Sequence, residues 1–415
     1  MSPTPRTAGL VAAAATTVLI LPIGITMLVV LAVLAGAAVD ARIARHTPTT
    51  ARSLPRILSR GIPSPFTVKA ASGNTSSVAI RQAVPADVSI DPGEGRDRLQ
   101  GQIVARRRGR HLVPAAAVRV EGPLGLGSWQ HDLGGEHELL VYPDLVSARK
   151  LALAVRQGRF RDPGIGMKGP LGLGTEFDSI RDYLPDDDVR QINWQASARL
   201  DRPMSNQYRL EQDQDVICVL DAGRLMAAPL GDRTRLDIAV DAMAAVCLVA
   251  DEIGDRCGAI AFDSSIIRRV STRRRGSDAV VRTIFDVETS SEDSDYELAF
   301  RVLGAHKRAL VIVLTDLLEE TAARPLIEAV PVLGRRHHVV IASATDTDLR
   351  ESVRTRPREV HDVYTAAVAV EVNRAREHAA ARLTEAGAKV VEAVPEKLAA
   401  ACVREYLRTK AAARL

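Results

Sequence analysis

Aromatic residues are scarce, at 3% of the 415 residues. That is too little flat π surface for a base-stacking nucleic-acid platform or an aromatic-lined sugar groove. Cysteine is nearly absent. Cys218, Cys247, Cys257 and Cys402 are widely spaced, form no C-x-x-C pair and have no histidine cluster beside them, which argues against a zinc site and a disulfide framework. Cys218 and Cys247 lie in apolar runs and read as reduced, buried thiols, which suits a cytosolic setting. An excess of one charge is missing too: 55 basic residues oppose 51 acidic ones for a net +4, so no overall field draws a polyanion. The chain also lacks a P-loop, an H-E-x-x-H motif and any Ser/His/Asp or Cys/His arrangement, so it does not read as an enzyme. What remains is 46% hydrophobic and 26% charged, an ordinary globular composition with room for two or three domains.

The longest hydrophobic run is at the start. From Ala8 to Val39 no residue is charged, a stretch well over the ~20 residues that cross a bilayer as a helix and too long for the core of a secretory signal. Pro22 and Gly24 interrupt it, which predicts one kinked helix or a hairpin of two. Arg42, Arg45, Arg52, Arg56 and Arg60 follow it whereas only Arg6 precedes it, so the bulk of the chain is expected to face the cytoplasm from the cell membrane. Arg52, Arg56 and Arg60 recur every four residues, predicting either a short amphipathic helix on anionic headgroups or a solvated basic linker.

Between Pro65 and Pro143, short β-rich runs (66–70, 78–84, 99–106, 111–121 and 138–142) alternate with turn residues and predict a small antiparallel β-sandwich. Arg106 to Arg110 reads as an exposed hairpin turn, not a polyanion patch. The hexapeptide GPLGLG occurs at Gly122 to Gly127 and again at Gly169 to Gly174. Neither copy ends in the GK[ST] of a phosphate loop, so its glycines read as tight turns.

After Gln214 strands and helices alternate, predicting an α/β doubly wound sheet. The strands VICVL and LVIVL are apolar throughout, as strands buried on both faces are. Asp221 follows the first and Asp316 the second, where such sheets place ligands. Oxygen donors suit Mg²⁺. The spacing resembles the metal-ion-dependent adhesion site of von Willebrand factor type A domains, with Gly223 and Leu225 where that motif has serines. The alternative is that both carboxylates cap helices or hold loop amides; Ser294, Asp295 and Thr315 are candidate substitute donors. His337 and His338 open a strand and read as structural, and Arg273 to Arg275 as a solvated turn, so no nucleic-acid partner is expected.

The densest segment precedes the sheet: Glu176, Phe177, Arg181, Tyr183, Pro185, Asp187, Asp188, Arg190, Ile192, Trp194, Ser197 and Arg199 mix aromatics with both charge signs. Asp187 or Asp188 can cap a helix beginning near Val189, and Arg181, Arg190 and Arg199 can pair with Glu176, Asp182 and Asp187. Two readings follow, a clasp between domains that buries Trp194, or a surface for a partner or ligand. The pattern E-F, R-x-Y-x-P-x-D-D-x-R-x-I-x-W-x-A-S-A-R, followed by a strand ending in Asp, resembles the bacterial family of domain of unknown function 58. Asp186, Val189, Asn193 and Gln195 stand where that family commonly has glycine, proline, aspartate and a basic residue.

The resemblance implies a membrane-anchored protein with a C-terminal domain similar to von Willebrand factor type A, working with a MoxR-type AAA+ ATPase in assembling other proteins. The alternative is a metal-dependent hydrolase or ligand-binding protein using Asp221 and Asp316. The expected division is a transmembrane anchor (1–46), a basic juxtamembrane linker (47–64), the β-sandwich (65–150), the signature segment (151–212) and the α/β domain (213–415).

Overall fold

The uncharged N-terminal run folds as two helices, α1 (Pro5–Thr16) and α2 (Ile23–Ile43). Pro22, at φ −55° and ψ 139°, directs the chain into α2 from extended backbone. In the computed structural model, which describes residues 2–16, 22–73, 77–160, 176–184, 187, 189–209, 213–303, 308–316, 320–356 and 358–412, α2 is long and apolar enough to cross a membrane. At about 1.5 Å per residue it measures about 32 Å, and its outward side chains include Ile23, Met27, Leu28 and Leu31. The chain divides into two units, Met1–Val141 and Tyr142–Leu415.

In the first unit the two helices return to one place. Ser2–Pro3 pairs antiparallel with Gly127 and Ser128. The hydroxyls of Thr4 and Thr7, at the start of α1, donate to the carbonyls of Gly125 and Leu126. At the far end of α2, Asp40 is fully buried and accepts the backbone N–H groups of Leu124, Leu126 and Gly127 at 2.9, 2.7 and 2.9 Å. The helices therefore run antiparallel, with both bases fastened to the first GPLGLG turn. The glycines there serve close approach: a Cβ at Gly122 would lie 2.3 Å from the Asp40 carboxylate, and one at Gly127 would lie 2.3 Å from the Ala37 carbonyl. The second GPLGLG copy lies outside the described residues.

Two sheets complete this unit. Nine antiparallel strands, Ser64–Ala71, Ser77–Gln82 and Arg98–Ala105 among them, form one; Ile57–Ser59, Gly109–Val113 and His137–Tyr142 form the other. Alternate side chains such as Phe66, Val68, Val78, Ile80, Leu139 and Val141 fill one shared core, the period-2 burial of strands wet on one side. The run 111–121 divides at Pro114 into strands of different sheets, because proline cannot donate to a ladder. The basic stretch after α2 corrects the amphipathic-helix expectation. It forms strands Thr49–Ser53 and Ile57–Ser59, since Pro48, Pro55 and the β-branched pair Thr49 and Thr50 disfavour a helix.

The second unit is built on six strands: β1 (Asp215–Asp221), β2 (Arg256–Phe262), β3 (Ile266–Arg274), β4 (Leu310–Leu314), β5 (His338–Ala344) and β6 (Lys389–Ala393). Their order is β3-β2-β1-β4-β5-β6, parallel except for edge strand β3. Along β1, Val216, Cys218 and Leu220 enter one core with α3 (Leu145–Arg156), α5 (Arg235–Ile253), α6 (Ser277–Ile284) and α11 (Pro395–Ala411). Ile217 and Val219 enter a second core with α7 (Tyr296–Leu303), α8 (Glu320–Leu333) and α10 (Val360–Glu385). Helices on both faces explain the unbroken apolar strands. All four cysteines are buried and free. The remaining helices, α4 (Trp194–Leu200) and α9 (Thr347–Arg354), carry the features described next.

Candidate functional site

The order of the sheet reverses between β1 and β4, and their C-terminal ends carry Asp221 and Asp316, as anticipated. Asp221 is 2% exposed. One carboxylate oxygen accepts the Gly223 amide at 2.9 Å and the Ser294 hydroxyl; the other accepts Tyr296 Oη at 2.8 Å and Thr315 Oγ1 at 2.6 Å. Burial, then the Asp221 charge, push the Tyr296 phenol well above its ordinary range. A Cβ at Gly223 would stand 2.2 Å from Ser294 Oγ. The hydroxyl absent from position 223 is thus supplied beside it by Ser294, and Thr315 joins the same carboxylate. Asp295 does not: its carboxylate accepts the Leu298 amide, capping α7.

Asp316 is 5% exposed and faces two cations, Arg235 at 2.8 Å and Arg376 at 3.2 Å. Both guanidiniums also donate to the Ala344 carbonyl at the end of β5, at 3.0 and 2.9 Å, and Arg376 reaches Ser343 Oγ at 3.1 Å. Glu392 lies 3.9 Å from Arg376; burial raises its carboxyl above the ordinary range, against the pull of Arg376. Asp221 and Asp316 are both buried, so neither forms an exposed edge.

The signature segment is a scaffold of local hydrogen bonds. Strands Glu176–Asp182 and Met204–Arg209 pair antiparallel. Arg181 meets Asp187 at 2.6 Å, and Asp187 also accepts the Leu184 amide at 2.9 Å, while Tyr183 Oη donates to the Asp187 carbonyl. Asp187 thereby ties a loop, and a short 3-10 turn, Val189–Gln191, begins where the sequence places a helix start. The α-helix begins at Trp194 with Asn193 as its cap: its side-chain oxygen accepts the Ala196 amide at 2.9 Å, and its amide group donates to Asn206. An asparagine does here what an aspartate would. Ser197 Oγ donates to the Asn193 carbonyl and accepts the Met204 amide. Arg190 and Arg199 are exposed, and Asp182 pairs with Arg202. Trp194 is 71% exposed. Pro185 and Asp188 lie outside the described residues, as do the side chains of Glu176 and Phe177.

The family model described as "Protein of unknown function DUF58" matches residues 179–393, just over half of the chain and spanning both this segment and the sheet. The chain belongs to the DUF58 family. Among its relatives are the uncharacterized protein Rv1480 of Mycobacterium tuberculosis and the uncharacterized protein Mb1516 of Mycobacterium bovis, each 26% identical over 216 residues. Those matches cover 49% of the DUF58 chain and 66% of each relative, just under two thirds of their length. A solved structure, superoxide reductase (neelaredoxin) from Ignicoccus hospitalis, aligns with 25% of this chain and 89% of its own at 11% identity and a TM-score of 0.16, too slight a likeness to assign a fold.

Sequence reasoning missed three members of the strand-end cluster in this DUF58 chain: Arg235, Tyr296 and Arg376. Arg376 left a signal. It shares the buried stripe of α10 with Ala369, Ala379 and Leu383, where an arginine needs a partner inside. Arg235 is the first residue of α5, inside the capping box of Thr234 and Asp237, which fixes that turn beside the strand ends.

Proposed function

We propose that this chain is a membrane-anchored docking protein whose signature segment receives a protein partner, by family resemblance a MoxR-type AAA+ ATPase. The exposure of Trp194 on a capped helix carries this reading. A Trp is seldom left in water without a use, and buried Trp side chains dominate binding hot spots. Leu184, Val189 and Leu200 of the same segment are also exposed, and their backbone is held by the bonds of Asp187, Asn193 and Ser197. Such apolar exposure on a rigid support marks an interaction surface. The helical hairpin would hold the chain in the membrane, and the arginines that follow α2 favour a cytoplasmic face for the rest.

The order β3-β2-β1-β4-β5-β6 with one antiparallel edge supports the von Willebrand factor A-like reading of the second unit. Its strand ends do not fit a divalent cation. Asp221 already holds four protein donors, and the two guanidiniums on Asp316 would repel Mg²⁺. The docking reading is therefore preferred to a metal-dependent hydrolase.

The test is co-purification from gently solubilised native membranes with mass spectrometry, comparing the natural chain with Trp194→Ala. Retention of an AAA+ ATPase should drop at least about tenfold in the variant, with stability changed by no more than about 0.5 kcal/mol because the ring is exposed. Equal retention would reject this surface; absence of an ATPase from both samples would reject the partner.

A further inference from the structure

A second site is built into the far side of the sheet end. A cavity of about 400 Å³ opens between α9 and α10, beyond β5, within the size range of ligand pockets. Two of its lining side chains, Thr345 and Arg376, are each 4% exposed. Thr345 Oγ1 has no hydrogen-bond partner among the described residues. A buried polar atom left so is expensive unless something meets it.

The charges around this floor do not balance. Arg235 and Arg376 converge on Asp316, two buried guanidiniums on one carboxylate. Glu392 stands further off, 3.9 Å from Arg376, and burial disfavours its charged form. At the mouth, Arg350 and Arg374 are exposed, and Arg350 joins Arg376 in pulling on the Glu392 carboxyl. The acidic side chains of the lining offset this only in part. Asp346 is engaged in capping α9, accepting the amides of Asp348 and Leu349 at 2.9 and 3.3 Å, and Glu377 is exposed on α10.

We propose that this cavity binds an oxyanion, the phosphate or carboxylate group of a small ligand, through Arg350, Arg374 and Arg376 with the Thr345 hydroxyl as a further donor. A guanidinium offers paired N–H donors that match two oxygens of such a group, and this geometry is stronger than a single contact. The anion would supply the negative charge missing beside Arg376 and an acceptor for Thr345. This inference goes beyond the docking reading and does not depend on it.

The full chain in detergent tests it. Thermal unfolding and isothermal titration are run with inorganic phosphate and, separately, succinate, each against sodium chloride at equal ionic strength. The natural chain should bind one of them saturably, with Tm raised by ~3 °C or more near saturation. Arg350→Gln with Arg374→Gln, both at exposed positions, should leave the anion-free Tm unchanged and weaken binding at least about tenfold. A response to phosphate alone assigns a phosphate ligand, one to succinate alone a carboxylate, and one to both a general oxyanion site. No rise above the chloride control with either probe, or the same rise in the double variant, overturns the proposal.

Discussion

The two units bury a carboxylate in opposite ways. In the first, Asp40 is held by three backbone amides of a glycine-rich turn with no cation beside it among the described residues. In the second, Asp316 is held by two guanidiniums. Amide dipoles disperse a charge without adding another, so the Asp40 cradle is closed chemistry and works as a fastener. Two full cations on one anion instead concentrate charge inside the unit, with Glu392 a further 3.9 Å from Arg376. Burial of charge by itself therefore says little about use; the kind of partner decides.

The largest expected effect breaks the second arrangement. Asp316→Ala strands two buried guanidiniums and should destabilise the second unit by about 3 to 5 kcal/mol, the usual loss when one member of a buried ion pair is removed. Hydrogen exchange resolved by unit is the measurement; losses confined to the first unit would refute the assignment. Next is Asp40→Ala, which leaves three amides without their acceptor and should cost about 2 to 3 kcal/mol. Here the lost protection should fall on residues 122–127 and the base of α2. The smallest effect sharpens the comparison by removing burial from it. Asp362 accepts the amides of Arg358 and Glu359 at 2.9 and 3.1 Å in open solvent, and these bonds depress its carboxyl below the ordinary range. Because the folded-state value is lowered, its contribution is full above the ordinary carboxylate pKa and is lost as pH falls through the lowered one. Amide protection at 358 and 359, corrected for intrinsic rate, should decline only below about pH 4.

The fold was legible in part. β-rich runs bounded by turn residues marked first-unit strands such as Ser64–Ala71, Ser77–Gln82 and Arg98–Ala105 but not Thr49–Ser53 or Gly127–Leu133, and unbroken apolar runs ending in Asp marked β1 and β4. Less legible was everything that depends on a distant residue. Nothing near Asp40 announces a turn more than eighty positions later, and Arg376 reads locally as one more charge on a polar helix until Ala369, Ala379 and Leu383 show which stripe it occupies. The signature segment was found by its composition, but its mechanics were only partly legible: a 3-10 turn does begin at Val189 after Asp187 and Asp188, yet the Asp187 carboxylate holds the Arg181 guanidinium and the Leu184 amide, and it is Asn193 that caps α4.

The Asp40 fastener also fixes an order of events in biosynthesis. The hydrophobic hairpin leaves the ribosome complete while its anchor is unmade, and at about 5 to 20 residues per second the Gly122 to Gly127 turn follows Asp40 by about 4 to 16 seconds. During that interval the Asp40 carboxylate lacks all three of the amides that later hold it. Only when the turn arrives can the same side chain act as a rivet.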